Sequence, residues 1–225
     1  MKVNFICHST FLVETESVYL LFDYFEGDLP QLDNNKPVYA FASHGHYDHF
    51  SPLLFNIEAK KYILSDDIVA ENVPETAREK TVFLSPHQRI KIDNLEIETL
   101  RSTDEGVAFF VKTDEKWLYH AGDLNCWMWE GAPGLQNMQM ALIYREELKI
   151  LENKKIVAAF VPLDPRLEMN YDKGMLYFLQ TAEAKHIFPM HMWGNFSGIE
   201  LFKRRYPDYM SKIMPIKQNG DVFEI

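Results

Sequence analysis

The sequence predicts an α+β fold in which two packed, mixed β-sheets are flanked by helices. Three observations point to it. Short runs rich in Val, Ile, Phe and Tyr fill the first 120 positions; after about position 135 apolar residues recur at steps of three and four; and from there strand-like and helix-like stretches alternate.

Extended runs are expected at 3–7, 11–14, 18–22, 38–42, 62–64, 81–84, 89–92, 95–100, 107–112 and 116–119, each bounded by turn residues. Two short helices are expected among them, at 52–59 and at 66–72, the second led by Ser65 and Asp66 as caps. Met138, Ala141, Tyr144, Leu148 and Leu151 share one face of a longer helix. The continuous apolar run at 156–161 reads as a strand covered on both faces. A helix over 171–185, a short strand at 187–188 and a helix over 196–206 complete the alternation. No repeat, low-complexity tract or Ser/Gly linker interrupts the chain, so a single domain over 1–225 is expected.

Composition narrows the function. With 225 residues, 47% apolar and 25% charged, the chain can bury a core without staples, and collagen, coiled-coil and disordered readings fail. The balance of 23 Lys+Arg against 33 Asp+Glu gives −10, a field that disfavours long nucleic acid as a partner. No apolar run approaches the ~20 residues of a membrane span, and the start MKVNFICHST lacks the marks of a signal peptide. A cytoplasmic protein with a small-molecule substrate and no membrane partner is expected, with a homo-oligomer left open. Cys7 and Cys126 are the only cysteines and form no C-x-x-C pair, so reduced thiols are the expectation. There is no G-x-S-x-G, P-loop or G-x-G-x-x-G, which leaves covalent and nucleotide-cofactor chemistry without support.

The segment Ser43-His44-Gly45-His46-Tyr47-Asp48-His49 places three imidazoles and a carboxylate within six positions. These are donors that first-row divalent ions accept, with no thiolate nearby to suggest a structural cysteine site. His44 and His46, two apart in an extended stretch, share a face and can grip one ion. Asp48 and His49 lie past the turn at Tyr47 and can reach a second. The motif follows the apolar run 38–42, and ligand sites in α/β sheets gather beyond the carboxyl ends of strands. Three other runs end the same way, in His120-Ala121-Gly122-Asp123, in Asp164-Pro165-Arg166 and in Met190-His191.

The stretch from Ser43 to His49 resembles the signature of the metallo-β-lactamase fold, an αββα four-layer sandwich of about this length. His8-Ser9-Thr10-Phe11-Leu12-Val13-Glu14 with Leu21-Phe22-Asp23, Tyr119-His120-Ala121-Gly122-Asp123 and Phe188-Pro189-Met190-His191 resemble successive motifs of the branch that holds the L-ascorbate-6-phosphate lactonases and related metal-dependent hydrolases. The resemblance implies that His44 and His46 bind a first metal, that Asp48, His49 and His191 bind a second, and that Asp123 bridges them. It also implies another histidine for the first metal, from the loop before the strand that leads to Asp123. Here that loop reads Arg101-Ser102-Thr103-Asp104-Glu105-Gly106, with no histidine. Asp104 or Glu105 is the candidate oxygen ligand in its place, which would favour a harder ion such as Mn²⁺ over Zn²⁺; otherwise the first site is weak and one ion works alone. Leu124-Asn125 also departs from the Thr-Gly more usual after the bridging Asp.

The remaining candidates keep two readings each. His8 stands near the ions or is a hydrogen-bonded structural histidine, Asp23 orients a ligand histidine or caps a turn, and His120 supports the site or packs the sheet. Trp127, Trp129 and Trp193 wall a substrate pocket or pack a loop. Arg166 grips an anionic substrate group or pairs with Asp164 or Glu168. The expected activity is hydrolysis of a small ester, lactone or phosphoester by a water activated on one or two divalent ions, Zn or Mn, with Asp48 as the catalytic carboxylate. The alternatives are a nuclease or phosphodiesterase on the same fold, and a non-catalytic metal- or metabolite-binding protein with a degenerate first site.

Overall fold

Whether an apolar run is continuous or alternating decides where its strand sits. The computed structural model describes residues 1–225. In chain order it contains β1 (Lys2–Cys7), β2 (Thr10–Glu14), β3 (Tyr19–Phe22), β4 (Val38–Ala42), β5 (Lys61–Ser65), β6 (Thr81–Leu84), β7 (Arg89–Ile92), β8 (Leu95–Arg101), β9 (Val107–Thr113) and β10 (Lys116–His120). Then follow α1 (Gly134–Leu148), β11 (Lys155–Pro162), α2 (Lys173–Thr181), β12 (Glu183–Met190), α3 (Ser197–Arg205) and β13 (Val222–Glu224). One sheet has the order β13-β1-β2-β3-β4-β5-β6, and the other β12-β11-β10-β9-β8-β7. Strands β3 to β6 run parallel, as do β10, β11 and β12.

The continuous runs lie where both faces are covered. In β4, Tyr39 and Phe41 enter the core between the sheets, whereas Val38, Ala40 and Ala42 face a smaller core on the outer side. Phe11 meets Phe160 at 4.4 Å and Phe41 meets Phe109 at 5.2 Å across the gap between the sheets. Helices α1 and α2 cover the second sheet: Tyr119 stacks on Phe178 at 5.4 Å, and Tyr144 Oη donates to Gly174 O at 3.1 Å. The outer face of the first sheet is covered by 3-10 turns at Pro52–Asn56, Ala70–Asn72 and Glu75–Lys80, which contribute Leu54 and Ala77 to the smaller core.

Those turns correct the expected helices at 52–59 and 66–72. Ser51 Oγ caps the first turn, but Ile57 is already extended, and Val69 and Val73 are extended beside the second. Pro74 disfavours helical geometry in the residue before it. The expected helix 171–185 also ends early, at Thr181. Residues 183–185 have helical propensity, but Glu183 and Ala184 pair with Lys155 and Ile156 in the sheet, and tertiary pairing overrides propensity. Of the expected helix face, Tyr144, Leu148 and Leu151 are buried, Ala141 is half-buried and Met138 is exposed. The strand β13 was not expected; it is three residues long and exists through pairing with β1.

Gly106 shows how close the loops approach at one end of this sandwich. Its φ is +70°, and a Cβ there would collide with the carbonyl oxygen of Ser43 and lie 2.7 Å from the Cβ of His44. Gly106→Ala is expected to destabilise the protein by at least about 2 kcal/mol, combining positive φ with overpacking against backbone. Urea unfolding monitored by circular dichroism measures it.

Candidate metal centre

Six strands deliver polar side chains to the same end of the sandwich. His8 follows β1, Asp23 follows β3, the segment from His44 to His49 follows β4, Asp123 follows β10, Asp164 follows β11 and His191 follows β12. Four of these residues or their neighbours depart from ordinary backbone geometry: His8 (φ 45°), Asp23 (46°), His191 (65°) and Trp193 (51°) are non-glycine residues in the left-handed region. Such conformations cost on the order of 1 kcal/mol or more each and persist where the surroundings over-determine them.

Two clusters of donors result, joined by one carboxylate. His49 Nε2 and His191 Nε2 stand 2.8 Å apart, and Asp123 Oδ1 lies 3.2 and 2.9 Å from them. Asp48 and His8 belong to this cluster, with all four donor atoms of His8, Asp48, His49 and His191 within 4.8 Å of one another. On the other side, His44 Nε2 is 3.0 Å from His46 Nδ1 and 3.6 Å from Asp123 Oδ2. Asp104 Oδ2 is 3.6 Å from His46 Nδ1, and Glu105 Oε2 is 3.5 Å from His46 Nε2. His44, His46, Asp104 and Asp123 form this second group of mutually close donors.

The protons of the imidazoles are assigned from their outward contacts. His49 Nδ1–H donates to Asp23 Oδ2 at 2.7 Å, and His191 Nδ1–H to Asp164 Oδ2 at 3.1 Å. His44 Nδ1–H donates to Ser43 Oγ at 3.0 Å, which in turn donates to Asp23 Oδ2 at 2.7 Å. With each proton outward, the Nε2 lone pairs of His49 and His191 meet at one point beside a buried Asp123 Oδ1 that has no hydrogen bond. Bare nitrogens at that distance repel unless a proton or a metal ion lies among them, and carboxylate–histidine pairs behind the donors are how ligand histidines are usually oriented. The residues present therefore fit a divalent ion.

Asp164 is the residue that sequence reasoning placed in the polar cluster without a role. It is fully buried, takes His191, receives Trp193 Nε1 at 3.3 Å and binds Arg166 Nη2 at 2.6 Å. The fold also brings in Ser43, which lies directly before the histidine motif, and Asp67, whose carboxylate receives Gly45 N–H at 2.8 Å. Nothing in the local pattern marks Asp67, because its partner is a backbone group. His120 lies behind the site: it is fully buried, stacks on Phe22 at 4.9 Å, and its Nε2 is 2.9 Å from Ser9 O. Arg166 pairs with Asp164 through Nε and Nη2, not with Glu168, and lies over the Trp193 ring at 4.4 Å. Trp127, Trp129, Trp193 and Arg166 line a cavity of about 430 Å³ together with Asp48, Asp104, Asp123 and His191.

Burial pushes the pKa of His44 down to about 3, with His49 adding to the effect, so it is a neutral donor at any physiological pH. Burial also disfavours charge on His49 and His191, but Asp123 and their rear carboxylates overcome it and raise both pKa values in the metal-free protein. Folding then binds protons more tightly than the unfolded chain does. That stabilisation is complete below the ordinary histidine pKa of about 6.5 and is lost as pH rises through the raised values. The Tm of chelator-stripped protein is expected to fall as pH rises above about 6.5, and to fall less in Asp123→Asn; differential scanning calorimetry across that range measures both.

The profile of the beta-lactamase superfamily domain matches residues 2–191. A UPF0173 metal-dependent hydrolase from Pyrobaculum neutrophilum is 24% identical over 247 aligned positions that span 100% of both chains. Another, from Salinibacter ruber, is 37% identical over 76 residues, 32% of this chain and 31% of that protein. Among solved structures, the metallo hydrolase Igni18 from Ignicoccus hospitalis aligns with a TM-score of 0.67 at 18% identity, covering 100% of this chain and 98% of that one, a likeness of fold. The profile match runs through every donor described above, from His8 to His191, and the chain belongs to the metallo-β-lactamase superfamily.

Proposed function

We propose that this protein is a metal-dependent hydrolase that holds one or two divalent ions, zinc or manganese, and cleaves a small ester, lactone or phosphoester. The observation that carries the reading is the convergence of His49 Nε2 and His191 Nε2, 2.8 Å apart, on the unpartnered Oδ1 of Asp123, a residue that with His191 lines an open cavity. A divalent ion bound among these donors supplies a Lewis acid for the scissile carbonyl or phosphoryl oxygen and makes a water more acidic.

The chain's own residues supply the rest. Asp48 lines the cavity, and although burial opposes its charge, His8, His49 and His191 hold its carboxyl well below the usual range. It is an ionised acceptor that orients the attacking water and takes its proton. Asp23 and Asp164 fix the rings of His49 and His191 from behind. Arg166 offers the edge of its guanidinium not engaged by Asp164 to a carboxylate or phosphate on the substrate. Trp127, Trp129 and Trp193 give the cavity an aromatic lining, with Trp127 and Trp129 near-parallel, suited to an apolar or planar substituent. One arginine at a cavity of this size, on a chain of net charge −10, suits a small substrate better than a long polynucleotide. Within the same proposal the protein works in the cytoplasm, alone or as a homo-oligomer; no helix is long and apolar enough to cross a membrane.

Metal content measured together with hydrolysis of a panel of lactones, aryl esters and phosphodiesters tests the reading. Asp123→Asn is expected to lose metal and to lower kcat/KM by at least about a hundredfold on any substrate turned over, and His46→Ala to lose about one ion per chain. Undiminished metal loading in both variants would refute the site assignment.

A further inference from the structure

The turn between β1 and β2 needs one residue in the left-handed region, where Asn or Gly is the easy choice, yet His8 occupies it at φ 45°. Its side chain is only 9% exposed, and its Nε2 is buried without a hydrogen-bond partner. Asp48 Oδ2 lies 3.4 Å from that nitrogen, an ion-pair distance without hydrogen-bond geometry. The ring is held in place by packing: its centroid is 4.0 Å from that of His191 and 4.5 Å from Trp193. The backbone agrees, since His191 N–H donates to His8 O at 3.2 Å and Ser9 Oγ–H donates to Asp48 O at 2.9 Å, which ties the turn to both neighbours in the cluster.

A buried imidazole nitrogen aimed into a group of metal donors, with nothing to bond, requires an explanation. Ligand atoms at about 2.0–2.2 Å from one ion are separated by roughly 3 to 4.4 Å depending on their angle. The donor atoms of His8, Asp48, His49 and His191 all lie within 4.8 Å of one another, close to that span.

We propose that His8 Nε2 is a ligand of the ion held by Asp48, His49, His191 and Asp123. This rests on the proposed metal-dependent function and deepens it. The ion then has three imidazoles and two carboxylates around it, of which His49, His191 and Asp123 are buried and His8 and Asp48 half-buried. The other ion has two imidazoles, Asp104 and the shared Asp123, with the side chains of His46 and Asp104 each 44% exposed. The two sites are therefore unequal: the first ion to load is the one beside His8, and the exchangeable positions belong to the ion beside His46, where the cavity opens.

Stepwise Co²⁺ titration of the chelator-stripped full-length protein tests this by calorimetry, with X-ray absorption on protein loaded with one equivalent. The unaltered protein is expected to bind in two steps, with about three imidazoles around the first ion. His8→Asn, which keeps a residue tolerant of positive φ, is expected to weaken only the tighter step, by about 10- to 100-fold, and to lower the imidazole count to two. His8→Ala with added free imidazole is expected to regain the tight step in part. An unaltered tight step, or a weakened one with three imidazoles still present, overturns the assignment of His8 while leaving the metal centre standing. Absence of any Co²⁺ binding by the unaltered protein overturns both.

Discussion

A buried negative charge organises this site. Asp23 is wholly enclosed at the end of β3, where an isolated carboxylate would be prohibitively unfavourable. It accepts hydrogen bonds at 2.7 Å from Ser43 N–H, Ser43 Oγ–H and His49 Nδ1–H, and His120 lies 3.8 Å away. Burial pushes its pKa up, but His120 and His49 more than offset this and keep it ionised. Through Ser43 it reaches His44, and directly it reaches His49, so one carboxylate sets the tautomer of a donor in each cluster. Removing it would free two rings and leave two buried N–H groups unsatisfied, which is why the geometry of the whole centre depends on it.

Asp123 is the counterpart on the cavity side. Its two oxygens face different clusters, Oδ1 towards His49 and His191 and Oδ2 towards His44. The clusters differ in environment. Around Oδ1 the donors are buried and their rings are braced by Asp23 and Asp164; around Oδ2 the site opens through His46 and Asp104 to solvent. Burial and the neighbouring Asp123 raise the pKa of Asp104, which marks it as a carboxyl crowded by negative charge and suited to a nearby cation. The loop that carries it is held by backbone, through Val107 N–H to Ser43 O at 2.9 Å and the close approach of Gly106, so its position is rigid without a histidine to anchor it.

Much of this was legible in the sequence where the signal is local. His44, His46, Asp48 and His49 are close in the chain, and the apolar run before them marks a strand end, so their proximity needed only a turn. Asp123 and His191 were recognisable because each follows a strand-like run and matches a family motif. Asp164 was harder: its role is set by His191, 27 residues away, and by a bidentate pairing with Arg166 that a short polar string does not distinguish from a turn. The strands of both sheets were largely readable from β-branched and aromatic runs. The helices over the first sheet were not, because Ile57, Val69 and Val73 are extended and leave only short 3-10 turns, which with the loops around them supply Phe50, Leu54, Ala59, Ile68, Val73 and Ala77 to the small core beneath. The end of α2 was misplaced because pairing with β11 outweighs the helical preference of Glu183, Ala184 and Lys185.

Crystals of the purified protein, measured for anomalous scattering at the zinc and manganese edges, would examine the convergence of these side chains most directly. A peak is expected bounded by His49 Nε2, His191 Nε2 and Asp123 Oδ1, with any further peak between His44, His46 and Asp123 Oδ2. Crystals soaked with either ion that show no peak between His49 and His191, or peaks only at other places on the surface, would contradict it.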